Sequence, residues 1–88
     1  MKIRIRFYRE RYNMDRDYYT GNYDIYKRFA FDNVDDLRRC WQAILHDHEG
    51  ETYSAWLGNR SCDELLCGGA FDPDDINIIE EAFRRKCA

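Results

Sequence analysis

Residues 2–8 read Lys2-Ile3-Arg4-Ile5-Arg6-Phe7-Tyr8, an alternation of apolar and polar or basic side chains. Successive side chains of an extended chain point to opposite faces. Ile3, Ile5 and Phe7 therefore share one face of a strand, and Lys2, Arg4 and Arg6 share the other. One face demands a core and the other is wet and basic. A second strand is expected from Tyr23 to Phe31, with Ile25, Phe29 and Phe31 inward and Asp24, Tyr26 and Arg28 outward. Lys27 falls on the apolar side of that alternation, which predicts a bulge or an edge position there. Two closures of this hairpin fit the residues between the strands. Either it turns at Gly21-Asn22 between long twisted arms, or residues 10–20 form a mobile loop.

Downstream the period changes. Val34, Leu37, Trp41, Ile44 and Leu45 follow helical spacing, with Asp35, Asp36, Arg38, Arg39 and Gln42 on the wet side. Asp32 is the expected cap and Gly50 the expected left-handed terminator. A third strand follows from about Glu51 to Leu57, alternating Tyr53, Ala55 and Leu57 with Thr52, Ser54 and Trp56. Ser61 and Glu64 have the spacing of a capping box, which predicts a short helix stopped by Gly68-Gly69. Asp72 caps a last helix with Pro73 at its first position and Asp74 and Asp75 in its first turn. Its apolar stripe is Ile76, Ile79 and Phe83, widened by Ile78 and Ala82. The expected architecture is a single α+β domain over residues 1–88. It has a three-stranded antiparallel sheet with two main helices and one short helix on one face, in the order β-β-α-β-α-α.

Eighty-eight residues suffice for one domain and leave little spare stability. No apolar run approaches the ~20 residues of a membrane span, and the alternating amino terminus lacks the continuous apolar stretch of a signal peptide. A cytoplasmic location is expected from this. In such a reducing compartment the four cysteines are expected as buried thiols and not as disulfides. Net charge is −3, unevenly divided. Residues 1–28 carry eight basic against four acidic side chains, whereas residues 29–88 carry six against thirteen.

The basic, tyrosine-rich hairpin carries the strongest functional hint. Arg4 and Arg6 share a strand face, and Tyr26 and Arg28 are expected across from them on the neighbouring strand. Arginine among aromatics can hold a nucleic-acid backbone and stack its bases, and it is equally the composition of protein–protein hot spots. A second candidate surface is acidic. Asp35 and Asp36 at one helix start, with Asp74 and Asp75 at the other, could imitate phosphates, although helix-dipole complementation explains such clusters as well. His46, His48, Cys62 and Cys67 offer zinc two imidazoles and two thiolates, but Cys-x4-Cys on a helix turns its side chains apart. No nucleophile–base signature marks an active site, so no catalytic residue and no cofactor is expected.

A short, densely charged domain with acidic helix starts and exposed aromatics resembles, in general style, the small anti-defence proteins of phages and mobile elements, of the anti-CRISPR and antirestriction types. The resemblance implies a non-enzymatic, stoichiometric inhibitor of a host protein or nucleoprotein complex that handles nucleic acid. Direct nucleic-acid binding through the hairpin is the alternative, and a zinc protein a further one.

Overall fold

The computed structural model describes residues 1–87, and of Cys67 the backbone alone. Strand β1 (Lys2–Asn13) and strand β2 (Tyr18–Phe31) form a long hairpin, followed by helix α1 (Val34–His48), strand β3 (Thr52–Gly58), strand β4 (Glu64–Ala70) and helix α2 (Asp75–Cys87). The strands form one antiparallel sheet in the order β2-β1-β3-β4. The α+β class is as expected, with one strand more than the sequence pattern predicts. The observed order is β-β-α-β-β-α.

The correction lies at residues 61–70. Arg60–Cys62 form only one 3-10 turn, and the segment expected as a short helix is β4. So few residues would make a marginal helix, whereas pairing with β3 gives their backbone groups a ladder. Gly58 makes the preceding turn possible. Its φ is +131°, and a Cβ there would stand 2.8 Å from the Cys62 carbonyl oxygen.

The core lies between the sheet and the two helices. Ile3, Ile5 and Phe7 face Leu57, Ala55 and Tyr53 in register on β3. They are buried with Leu37, Trp41 and Ile44 of α1, Phe71, and Ile76, Ile79 and Ala82 of α2. Phe71 is the centre of the aromatic packing, with ring centroids 4.9 Å from Phe7, 5.0 Å from Trp41 and 4.8 Å from Tyr53. Ile78, expected at the edge of the α2 stripe, is half exposed. Asn33, not Asp32, caps α1, its side chain accepting from the Asp36 N–H at 2.9 Å. Asp32 instead pairs with Lys2 at 2.8 Å. Gly50 ends the helix as expected, with φ +82°.

Expected burial of the thiols is not observed for Cys40, Cys62 and Cys87, all exposed. Cys40 sits at the flank of the buried α1 stripe beside Ile44 and Phe29, Cys62 in the 3-10 turn and Cys87 in the last turn of α2. The Cys67 side chain lies outside the described residues. Among the described residues no helix is long and apolar enough to cross a membrane.

Candidate recognition surface on the helix-free face

Both helices cover one side of the sheet, which leaves the other open. The register assigns that open side. Arg4, Arg6 and Tyr8 of β1 are opposite Ala30, Arg28 and Ile25 of β2, and Arg4 and Arg6 are opposite Trp56 and Ser54 of β3. On β4, Leu65 pairs with Trp56 and is exposed. The side chains interlock across the strands. The Arg6 guanidinium lies 5.2 Å from the centre of the Trp56 ring, within the range of a cation–π contact. Trp56 donates its indole N–H to Ser54 Oγ at 3.0 Å, and Ser54 Oγ is also 2.8 Å from the Tyr8 hydroxyl. Arg4 is ion-paired with Asp63. A shallow groove of about 180 Å³ opens between Arg4, Arg6, Arg28, Phe29 and Ala30.

The β1–β3 ladder stops at Phe7 and Tyr53, and beyond it β1 and β2 continue alone. The arm closes at Met14–Asp17, where Asn13 Oδ1 accepts the Asp15 and Arg16 N–H groups and Asp17 takes a φ of +55°. Neither expected closure is observed. Gly21-Asn22 lies inside β2 at an irregularity opposite Arg11, and residues 10–20 are paired strand and turn. Six residues of β1 extend past the body, roughly 20 Å at about 3.3 Å per residue. They account for much of the molecule's 51 × 29 × 16 Å shape. Tyr12 and Tyr19 face each other in register on the open side with ring centroids 5.1 Å apart, and Tyr23 is opposite Glu10. Tyr19 is 66% and Tyr23 51% exposed, so the arm presents tyrosine rings to solvent and not to a core.

Tyr26 departs from expectation. The predicted bulge is present, since β2 has one extra residue between the pairs Phe7–Lys27 and Tyr8–Ile25. That extra residue resets the alternation. Ile25, expected inward, moves to the open face, and Tyr26, expected outward with Arg4 and Arg6, turns to the helix side. There its hydroxyl donates to Glu51 Oε2 and lies 2.9 Å from His48 Nδ1. The His48 ring stacks on Phe7 with centroids 4.2 Å apart, and the Arg9 guanidinium covers the Tyr26 ring at 3.8 Å. Burial, reinforced by the hydrogen bond to Glu51, holds the Tyr26 hydroxyl pKa above its ordinary value. Tyr26 thus fixes the root of the arm.

The other candidates are dispersed. Asp35 and Asp36 start α1, whereas α2 begins at Asp75, later than expected, with Pro73 and Asp74 in the turn before it. The two helices run antiparallel, with Asn33–Asp35 beside Phe83 and Arg84. The acidic pairs therefore lie at opposite ends of the helical layer, about 20 Å apart at 1.5 Å per residue of helix. Asp36 is held by Arg39, and Asp75 Oδ2 accepts the Asp72 N–H at 2.9 Å. His48 is buried at the Tyr53 end of β3, His46 is exposed, and Cys62 lies at the opposite end of that strand. Among the described residues no group of three or more His, Cys, Asp or Glu side chains is arranged to hold a metal.

Of the residues expected on the basic face, Arg4, Arg6 and Arg28 come together and Tyr26 does not. Alternation along β1 placed Tyr8 on this face with Arg4 and Arg6, as observed, whereas sequence reasoning missed Trp56, Ile25 and Leu65 as parts of the surface. Alternation along β3 already placed Trp56 opposite to Ala55 and Leu57. The missing information was that β3 lies beside β1. No protein-family model, curated protein or solved structure matches this chain.

Proposed function

We propose that this protein is a non-enzymatic binding module that occupies a surface of a larger protein or nucleoprotein complex, and that the open face of its sheet is the surface it uses. The observation that supports this is shared placement. Leu65, Trp56, Arg6, Arg28 and Tyr8 share the open face with the Tyr12, Tyr19 and Tyr23 rings of the arm, with Glu10 between Tyr8 and Tyr12. Tryptophan, tyrosine and arginine are the side chains that dominate binding hot spots. The style shared with small anti-defence proteins makes a bacterial nucleic-acid-handling complex the first target class to examine.

Gel filtration of the purified protein with RNA-guided nucleases and restriction enzymes tests this reading. The expected result is stoichiometric co-elution with one of them, abolished by Trp56→Ala and unaffected by Asp74→Ala. Absence of co-elution with every member of the class removes the inhibitor assignment. Direct nucleic-acid binding is the second reading, favoured by the Arg6–Trp56 contact, because a guanidinium beside an indole also suits a phosphate beside a base. It requires binding that weakens steeply as salt rises and falls in Arg6→Ala.

A further inference from the structure

Arg6 and Arg28 are directly opposite each other on neighbouring strands. Like charges in that position destabilise a sheet. Elsewhere the chain neutralises many of its cations. Lys2 pairs with Asp32, Arg4 with Asp63, Arg11 with Asp24, and both Arg38 and Arg84 with Glu80. Among the described residues neither Arg6 nor Arg28 has a carboxylate partner. Of the acidic groups on the open face, Asp63 is taken by Arg4 and Glu10 lies out on the arm, opposite Tyr23. Both residues line the 180 Å³ groove.

We propose that this groove is an oxyanion site, and that its ligand is a side-chain carboxylate of an acidic protein segment lying across the open face. The proposal rests on the reading of that face as a binding surface and names the chemistry of the partner. Arg6 and Arg28 reach the groove from facing strand positions, and each guanidinium carries the planar N–H fork that receives a carboxylate in two-pronged fashion. The groove admits one small anionic group, and the rest of the segment lies against Trp56, Tyr8 and Leu65. A nucleic-acid strand asks for something else, a row of cations that tracks successive phosphates. The Lys2, Arg4, Arg6 row of β1 is neutralised over most of its length, Lys2 being held by Asp32. Arg4 is held by Asp63, and the arm residues 8–25 carry three basic against four acidic side chains.

The test is a titration of the whole protein with a short oligoglutamate peptide, a short oligothymidylate and inorganic phosphate at matched ionic strength, followed by tryptophan emission. Trp56→Phe assigns the signal, because Trp41 is buried in the core. Oligoglutamate is expected to change the Trp56 emission, with affinity about tenfold lower in Arg6→Gln and in Arg28→Gln. Tighter binding of oligothymidylate with a steep salt slope overturns the proposal in favour of nucleic acid. Saturation by phosphate alone reduces the groove to a free-anion site, and silence towards all three ligands removes it. Arg28→Glu supplies a readout apart from binding. It replaces a repulsive pair by an attractive one, so the thermal midpoint should equal or exceed that of the parent while oligoglutamate binding is lost. A lowered midpoint would show Arg28 to be structural and overturn the proposal. If a partner complex survives Arg6→Gln and Arg28→Gln but not Trp56→Ala, the open face remains the interface and the oxyanion site does not.

Discussion

The body and the arm are built from the same two strands and held by different forces. Up to Phe7, β1 lies between β2 and β3 and beneath two helices, and its inward side chains are fully buried. Beyond Phe7 the hairpin relies on its own cross-strand contacts, the Arg11–Asp24 pair at 2.8 Å and the Tyr12–Tyr19 rings. A two-stranded hairpin is marginal by itself in water. The body therefore carries the stability, whereas the arm spends its aromatic side chains on exposed surface. The difference is one of exposure: the arm rings touch one another and solvent, whereas the body rings are enclosed.

The largest expected effect is in the body. Phe7→Ala removes a ring packed against Phe71, Tyr53, Phe29 and His48 and should cost about 3–5 kcal/mol, measured by urea unfolding. A loss comparable to that of an arm substitution would break the contrast. At the junction, Tyr26→Phe deletes the hydroxyl shared by His48 and Glu51. It should cost about 1–3 kcal/mol, because buried polar groups lose a partner, and hydrogen exchange should quicken at the root of the arm. In the arm itself, Tyr12→Ala should cost about 0.5–1.5 kcal/mol or less. Its amide-exchange effects should stay within residues 8–25 while partner binding falls.

The smallest effects are those of pH, and they separate the two regions again. The Asp24 carboxyl is held below its ordinary range by the hydrogen bond from Arg11, and Asp32 likewise by Lys2. A lowered folded-state pKa gives stability that is present above the ordinary carboxylate range and lost as pH falls through the folded value. Acid should therefore loosen the arm and the start of α1 first. Tyr26 titrates in the opposite sense. Its raised pKa means that the contribution is complete below the ordinary tyrosine range and declines as pH rises through the folded value. Alkali should loosen the root, seen as earlier amide exchange at Tyr26 and Lys27 than at Tyr12.

What could be read without coordinates was whatever a local period encodes. Ile3-x-Ile5-x-Phe7, the α1 stripe, the β3 alternation and the α2 stripe around Ile76 and Ile79 all emerged as expected, since each buries one face against the same core. Competition between elements was not legible. Ser61 and Glu64 have helix-start spacing, but the open edge of β3 offered the same residues a ladder, a long-range choice that no local signal records. Gly21-Asn22 looked like a turn and became an irregularity within a strand, while Met14–Asp17 turned with no glycine. In the candidate site, Arg4, Arg6 and Arg28 follow from alternation alone. Tyr26 did not, because a single inserted residue reverses every later assignment along a strand. Lys27 out of phase was the visible trace of that insertion, and moving Tyr26 with it would have given the correct face.

The turn at Met14–Asp17 also bears on the order in which the molecule assembles. Hairpin pairing spreads outward from neighbours in sequence and closes in roughly 1–10 μs. Ile5 must instead find Ala55, fifty positions along the chain, before β3 can dock, and such distant encounters slow folding. The segment least protected at equilibrium is therefore expected to be among the first to form. Asn13, which accepts both turn amides, provides the probe. Asn13→Ala should slow refolding more than it speeds unfolding, and the opposite partition would place the arm late in assembly.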